Sequence, residues 1–234
     1  IWMQGENDAQ SYAFDYPTLW NNFIGDVTAA FEEKGYLTET GLTTIDGGIT
    51  QRWTNYDVVN AAKERYAAVS SKAYFVEVAH EDWLTYDRDN TDYAHLDALS
   101  MIRLGNEFGK SFALAYADIY NEKQTYALPT LDGAGTSENP YVIANEDDYK
   151  TFVYENYFNE AARSACYKIT ADLGAEDSPL RLYAGKTAAT AFAGTIDGNG
   201  KTICIDLGAN AGVGFIGYAA GATLTDLKIG RAHV

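Results

Sequence analysis

Hydrophobic residues recur every three or four positions in three stretches of the first half of the chain, which is the spacing of one face of an α-helix. The first stretch ends at Gly35, a residue type that often follows a last helical turn, and Ser100 is expected to cap the third helix. A short apolar run at 73–78 has the length of a strand that is covered on both faces. The helix-face residues are Leu19, Phe23, Val27 and Phe31, then Val58, Ala62, Tyr66 and Val69, and finally Ile102, Phe108, Phe112, Ala115 and Ile119.

This alternation of helix and strand predicts an open α/β layer over residues 1–122. In such sheets, functional residues lie in the loops that follow the carboxyl ends of the strands. Two polar segments are expected in this position, Gln4-Gly5-Glu6 near the start of the chain and Asp92-Tyr93-Ala94-His95 after the 73–78 run. They are therefore the candidate site segments.

The second half of the chain has a different pattern. Residues 123–137 form a polar stretch with Gly and Pro, which is typical of a linker. From residue 138 onward, short alternating strands are separated by Gly-containing turns, and Asn145 is expected to cap a short helix over 147–157. The expected strands are 167–173, 192–196, 202–207, 214–217 and 222–227.

Composition narrows the class of partner. The net charge of −16 argues against nucleic acid, because its binding requires basic patches that neutralise phosphates. No apolar run approaches the length needed to span a bilayer. The 18 Tyr and 4 Trp residues suit contacts with sugar rings, although Tyr also fills strands for purely structural reasons.

The sequence offers little for a metal or a redox centre. There are 3 His, with no H-E-x-x-H and no paired-Cys motif, so no metal site is expected. Asp197-Gly198-Asn199-Gly200 is interpreted as a tight turn instead of a calcium loop, since Lys201 stands where a further oxygen ligand is needed. Cys166 and Cys204 are expected to be free, buried thiols, although a pairing between them stays open.

The two candidate site segments carry a family resemblance. Trp2 to Asp8 resembles the W-x-Q-G-E-x-D block of SGNH-type esterases, in the branch of the sialate O-acetylesterases and related carbohydrate acetylesterases. Asp92 to His95 resembles the D-x-x-H block with which those domains close. The resemblance implies that residues 1–122 are the C-terminal part of a flavodoxin-like, three-layer SGNH hydrolase domain, incomplete in this chain.

The same resemblance implies roles for the site residues. His95 would be the general base, and Asp92 would hold its imidazole in the required tautomer. Gln4 and Gly5 would lie beside the oxyanion hole, with Glu6 orienting its neighbours. The family's nucleophilic Ser belongs to an earlier G-Q-S-N-like block, so no nucleophile is expected in this chain, and no cofactor is implied.

Simpler interpretations of both segments stay open. Asp and His are both common residue types in solvated polar loops, so Asp92 and His95 also fit such a loop. Gln4 to Glu6 also fits the first turn of a helix, with Asp8 or Ser11 as the capping residue.

Residues 138–228 resemble the start of a bacterial right-handed β-helix of the G-L-U-G-repeat kind. A solenoid rung cannot bury its own apolar face, so such folds stack several rungs. The matching pieces, in order, are Asn139-Pro140-Tyr141, Tyr167 to Leu173, Phe192 to Ile203, Gly214 to Tyr218, and Ala222 to Leu227.

Both ends of the chain suggest a fragment of a metagenomic gene. The chain opens inside the W-x-Q-G-E motif, and residues 229–234, Ile-Gly-Arg-Ala-His-Val, match the translation of a common short-read sequencing adapter. We therefore expect 229–234 to be an adapter-derived tail, which is excluded from fold reasoning. Different codons beneath these residues would contradict that hypothesis.

The functional expectation is a secreted or cell-surface bacterial carbohydrate O-acetylesterase, acting on acetylated oligo- or polysaccharides and inactive as this fragment. The alternative is a non-catalytic surface adhesin or glycan-binding β-solenoid protein. A G-Q-S-N-like sequence upstream in the gene would favour the esterase.

Overall fold

The computed structural model describes residues 1–37, 41–79, 81, 83–86, 95–121, 123, 125–207 and 214–231. The chain divides into two compact units, Ile1–Leu128 and Pro129–Val234. Helices and parallel β-sheets both occur, so the fold is α/β in class, as predicted.

The first unit has four α-helices and a short parallel sheet in its described part. Strands β1 (Thr44–Gly47) and β2 (Ala73–Val76) pair in parallel, Thr44 opposite Ala73 and Gly47 opposite Val76. Trp2 adds a parallel bridge to Asp46 on the other side of β1. The elements are α1 (Glu6–Ser11), a 3-10 helix (Ala13–Asp15), α2 (Tyr16–Glu33), β1 (Thr44–Gly47), α3 (Tyr56–Val69), β2 (Ala73–Val76) and α4 (Ala98–Asn121).

Strand β1 contributes an apolar side chain to one face of this sheet and a carboxylate to the other, because successive side chains of a strand point in opposite directions. Ile45 joins an apolar cluster with Val76, Leu104 and Phe108, which packs α4 against the sheet. Asp46 points the other way and contacts α3. The sequence pattern did not predict β1, since its central residue is a buried carboxylate.

Helix α2 lies where the periodicity predicts it, and its buried side coincides only in part with the predicted face. Phe23 of that face is half-buried, with its ring 4.7 Å from the Trp2 ring, whereas Leu19 and Phe31 are exposed. The buried residues are instead Tyr16 and Trp20, and Trp20 packs against Trp2 and against Tyr66 of α3. The predicted end of the helix is correct: Gly35 has a φ of 67°, and its N–H donates to Glu32.

Helix α4 begins earlier than predicted. Its first residue is Ala98, and the Asp97 carboxylate accepts the Ser100 N–H at 2.8 Å, so Asp97 and not Ser100 caps the helix. Of the expected apolar side, Phe108 and Ala115 are buried, whereas Ile102 and Phe112 are more than half exposed. The Ile119 side chain lies outside the described residues.

The described part of the second unit contains two parallel sheets. One has four strands in the order β3 (Tyr141–Ile143), β4 (Cys166–Ile169), β5 (Thr195–Asp197) and β7 (Thr223–Thr225), and the other pairs β6 (Thr202–Ile205) with β8 (Lys228–Arg231). Residues 132–135 hydrogen-bond to this unit, through Asp132 to Val142 and Gly135 to Cys166. The elements are β3 (Tyr141–Ile143), α5 (Glu146–Phe158), α6 (Glu160–Arg163), β4 (Cys166–Ile169), a 3-10 helix (Ala188–Thr190), β5 (Thr195–Asp197), β6 (Thr202–Ile205), β7 (Thr223–Thr225) and β8 (Lys228–Arg231).

Helix α5 supplies much of the core of the second unit. The predicted cap is present, since Asn145 accepts the Asp148 N–H at 2.9 Å. Phe152 is fully buried and meets the rings of Tyr167 at 4.8 Å and Phe192 at 6.0 Å. This helix therefore joins the strands through aromatic contacts.

Three further expectations can be compared with this unit. The 214–217 segment forms a single bridge, Ile216 to Ala184, in its described part instead of a strand. Residues 229–231 pair with β6 as part of β8, while 232–234 lie outside the described residues. Both cysteines are free and partly exposed.

Candidate functional site

The candidate site lies along the carboxyl edge of the sheet in the first unit. Because Trp2, β1 and β2 run parallel, the segments that follow them leave the sheet at the same edge. These segments are Gln4–Glu6 after Trp2, 48–50 after β1, and the loop that follows Val76. The edge is where α/β sheets place ligands.

The Gln4–Glu6 turn begins helix α1. Gly5 occupies the N-cap position with a φ of 136°, and no side chain caps the helix. The simpler interpretation is thus right about a helical first turn but wrong about Asp8 or Ser11 as the cap. Asp8 instead accepts a hydrogen bond of 2.6 Å from the Gln4 side-chain amide, which fixes that amide at the rim.

Glycine is the residue type that position 5 requires. Its positive φ is strained for any L side chain, and a Cβ there would lie 2.7 Å from Val59 Cγ1. The main chain of the turn therefore sits directly against α3. Glu6 is the first residue of α1 and is partly exposed.

A buried lysine from α3 connects the turn to β1. Lys63 Nζ donates to the Gln4 carbonyl at 2.5 Å, to the Asp46 carboxylate at 3.0 Å and to the Gly47 carbonyl at 2.8 Å. The Lys63 side chain is fully buried, and the second Asp46 carboxylate oxygen has no hydrogen-bond partner in the described part of the chain. A buried ion pair therefore lies directly under the carboxyl edge.

Burial shifts the protonation of this pair. Desolvation raises the pKa of Asp46 to about 6, although Lys63 pulls it down. Desolvation also disfavours the charged form of Lys63, which lowers its pKa, and Asp46 opposes that shift. Burial, with further contributions from Asp46 and Asp8, raises the pKa of the neighbouring Tyr16.

Two asparagine side chains hydrogen-bond to the segment that follows β1 and to helix α1. Asn60 bonds twice to Ile49, accepting its N–H at 2.8 Å and donating to its carbonyl at 2.9 Å. Asn55 donates to the Ala9 carbonyl at 2.8 Å. Asn60 of α3 therefore holds the segment after β1, and Asn55, which precedes α3, holds the helix that follows Gly5.

Sequence reasoning missed Asp46, Asn60 and Lys63. A signal for Lys63 was present, because it stands four residues after Val59 and four before Ala67, both buried on the same helix face. A lysine in that register predicts a buried partner. The identity of the partner was not readable, since β1 itself was not predicted.

His95 lies on the loop between β2 and α4, with an exposed side chain. The next residue, Leu96, bridges to Tyr86 and packs against the apolar cluster under α4. Asp92 lies outside the described residues, so its distance to His95 stays a prediction. Nothing tests the assigned roles of these two residues.

The start of α4 is held by a polar network close to His95. Asp97 accepts from the Thr85 hydroxyl at 2.5 Å, and the Ser100 hydroxyl accepts the Thr85 N–H at 2.8 Å. The hydrogen bonds from Ser100 and Thr85 lower the pKa of Asp97. This network anchors the C-terminal end of the loop that carries His95.

Other site types find little support. In the described ranges, no group of three His, Cys, Asp or Glu residues could hold a metal ion. Asp197 to Gly200 forms the expected tight turn: φ is 51° at Asn199 and 71° at Gly200, and Lys201 donates back to Gly198. No helix in the described part of the chain has the length and apolar character to cross a bilayer.

Comparisons with protein-family models, with curated proteins and with solved structures found no match for this chain.

Proposed function

We propose that residues 1–122 are the C-terminal part of an SGNH-type esterase domain that removes acetyl groups from sugar hydroxyls. The proposal rests on the motif resemblance, which assigns the nucleophilic Ser to a block outside this chain. The substrate class would be acetylated oligo- or polysaccharides. The protein would be secreted or exposed on a bacterial cell surface, and the chain by itself would be inactive.

In the proposed reaction, His95 removes the proton from the Ser hydroxyl as the oxygen attacks the acetyl carbonyl carbon. The sugar alkoxide then leaves with that proton, and an acetyl-enzyme forms. Water, deprotonated by His95, then attacks the acyl carbon, and acetate is released as His95 returns the proton to the Ser oxygen. Asp92 stabilises the imidazolium and fixes its tautomer. Gln4 and Gly5 supply N–H groups to the oxyanion, and Glu6 helps to orient them.

One observation carries the proposal: the Gln4–Glu6 turn is rigidly fixed at the same sheet edge from which the His95 loop departs. The parallel register of Trp2, β1 and β2 makes the edges coincide. The Gln4 amide is oriented by Asp8, as a donor to a developing charge needs to be.

The test uses the intact protein that carries the Ser block. His95→Ala should abolish hydrolysis of 4-nitrophenyl acetate without lowering the melting temperature, because an exposed side chain contributes little packing. Asp92→Asn should reduce kcat by about 10⁴-fold through the wrong imidazole tautomer. Lys110→Ala, on the exposed side of α4, is the control and should leave turnover unchanged.

Near wild-type turnover in His95→Ala would refute the assignment. So would a crystal structure in which His95 lies across the sheet from Gln4.

We further propose that residues 138–228 are the first rungs of a right-handed β-solenoid. Supporting this, Tyr141, Tyr167, Ile196 and Leu224 stand in register on successive parallel strands, 26 to 29 residues apart. A second pairing within these residues, Leu173 with Ile203, is also parallel and joins positions 30 residues apart.

This repeat is also the observation that favours the alternative function, a non-catalytic adhesin or glycan-binding solenoid. Its first unit would then be an inactive relic. The upstream gene sequence decides between the two: a G-Q-S-N-like block supports the esterase, and its loss supports the adhesin.

A further inference from the structure

The Gln4–Gly5 peptide is held from one side only. Its carbonyl accepts Lys63 Nζ at 2.5 Å and the Tyr16 hydroxyl at 3.4 Å. Because a trans peptide is planar, its N–H points opposite to its carbonyl. The Gly5 N–H therefore points away from Lys63, and it has no acceptor among the described residues although Gly5 is buried. Buried backbone donors without a partner are rare.

We propose that Lys63 is a positioning residue that fixes the direction of the Gly5 N–H, and so sets one donor of the oxyanion hole. This inference rests on the proposed esterase function. The hydrogen bond from Lys63 directs the Gln4 carbonyl toward α3. Because the peptide is planar and trans, the Gly5 N–H then points in the opposite direction.

Lys63 is suited to positioning and not to direct catalysis. Each of its three donors has a partner: the Gln4 carbonyl, the Asp46 carboxylate and the Gly47 carbonyl. With its side chain fully buried, no donor is left for a substrate. Asp46 supplies the charge that keeps the ammonium in place, and Gly47 ties the turn to the end of β1.

Among the described residues, the one other hydrogen bond to this peptide is weak. The Gln4 side chain bonds to Asp8, which orients the amide but not the main chain. Tyr16 contributes one long hydrogen bond. Removal of Lys63 should therefore free the Gln4–Gly5 peptide to rotate, while the rest of α1 stays in place through its helical hydrogen bonds.

Lys123 provides a matched control. Its Nζ likewise has three acceptors, which here are all backbone carbonyls: Ala67, Ser70 at 2.9 Å and Ala73 at 2.5 Å. Ala67 and Ser70 lie at the end of α3 and Ala73 begins β2, whereas the Gln4 turn lies at the carboxyl edge of the sheet. Lys123→Met thus removes an equally bonded lysine without touching the site.

The first measurement uses the ¹⁵N-labelled chain and needs no activity. Lys63→Met should shift or broaden the amide signals of Gly5 and Glu6, and Lys123→Met should leave them unchanged. An unmoved Gly5 signal in Lys63→Met, or the same shift in both variants, would overturn the proposal. If Lys63→Met does not fold, combining it with Asp46→Asn leaves no unpaired buried charge and serves as the second variant.

The second measurement uses the intact protein with its nucleophile. Lys63→Met should lower kcat for an aryl acetate by about 100-fold, with KM changed less than about twofold, because a misaligned donor weakens only the transition state. Lys123→Met should lower the melting temperature without this loss of kcat. An unchanged kcat in folded Lys63→Met would overturn the positioning role.

The two measurements separate the two proposals. If the wild-type protein shows no hydrolysis that depends on His95, the esterase function fails. The amide signals of Gly5 then still decide whether Lys63 sets the peptide.

Discussion

Replacing Asp46 by Asn should change how the stability of the first unit depends on pH. Asp46 is buried beside Lys63, and the pKa of its carboxyl is raised to about 6, mainly by burial. Asn has nearly the same shape but cannot bind or release a proton in this range. The variant therefore removes the ionisation of Asp46 itself from the pH dependence of folding.

The sign follows from proton linkage. Between about pH 4 and pH 6, folded Asp46 holds a proton that the unfolded chain has released, so the free energy of unfolding falls as the pH rises through this window. A shift of roughly 2 pKa units corresponds to about 3 kcal/mol. Relative to Asp46→Asn, the wild type should lose up to that amount between pH 4 and pH 7.

The response of Lys63 works in the same direction. Asp46 raises the pKa of Lys63 against the effect of burial, so its removal makes protonated Lys63 more costly in the folded variant. The variant then becomes more stable as pH rises, since a depressed lysine favours the folded state at high pH. Both effects therefore make the free energy of unfolding of the wild type, relative to that of the variant, fall as the pH rises.

Tryptophan fluorescence makes the measurement specific to this unit. All four tryptophans, Trp2, Trp20, Trp53 and Trp83, lie in Ile1–Leu128. Urea unfolding of wild type and Asp46→Asn at several pH values between 4 and 7 gives the difference directly. Asp26→Asn, at an exposed position of α2, controls for the loss of one negative charge. A difference that is constant with pH, or that grows as pH rises, would refute the reasoning.

Gly5→Ala should destabilise the first unit by about 1–3 kcal/mol, because the positive φ is strained and the new Cβ meets Val59; an unchanged melting temperature would contradict this. Ile196→Asp should unfold the second unit while tryptophan fluorescence stays native, since it places an unpaired charge at a fully buried position. The neighbouring Thr195→Asp, on the opposite side of the strand, should be tolerated, and equal circular dichroism of the two variants would argue against the register. Residues 1–122 expressed alone should be insoluble or molten because α4 exposes apolar side chains, and a sharp cooperative thermal transition would count against that expectation.

Several local features follow from the sequence alone. The end of α2 at Gly35, the capping of α5 by Asn145 and the tight turn at Asp197 to Gly200 all appear where they were predicted. Each depends on residues within about five positions of one another, because caps and turns are set by local hydrogen bonds and by the φ angles that a residue tolerates.

Sequence patterns also placed the candidate segments but not their surroundings. Gln4 to Glu6 and His95 were identified from motifs. The predicted α/β layer implied that such segments leave the sheet at one edge, and the observed strands β1 and β2 are parallel. The pairing of Asp92 with His95 stays a prediction. The hydrogen bond between Gln4 and Asp8 could have been anticipated, since residues four apart meet on a helical turn.

Only the tertiary structure decided which face of α2 is buried and what Lys63 contacts. Periodicity shows that a helix has an apolar side, but Trp20 rather than Leu19 is buried because Trp2 and α3 happen to lie against it. Lys63 and Asp46 are 17 residues apart and belong to different elements, so no local pattern joins them. Their contact exists because the chain folds α3 back over β1, and burial strengthens the attraction between the two charges beneath the candidate site.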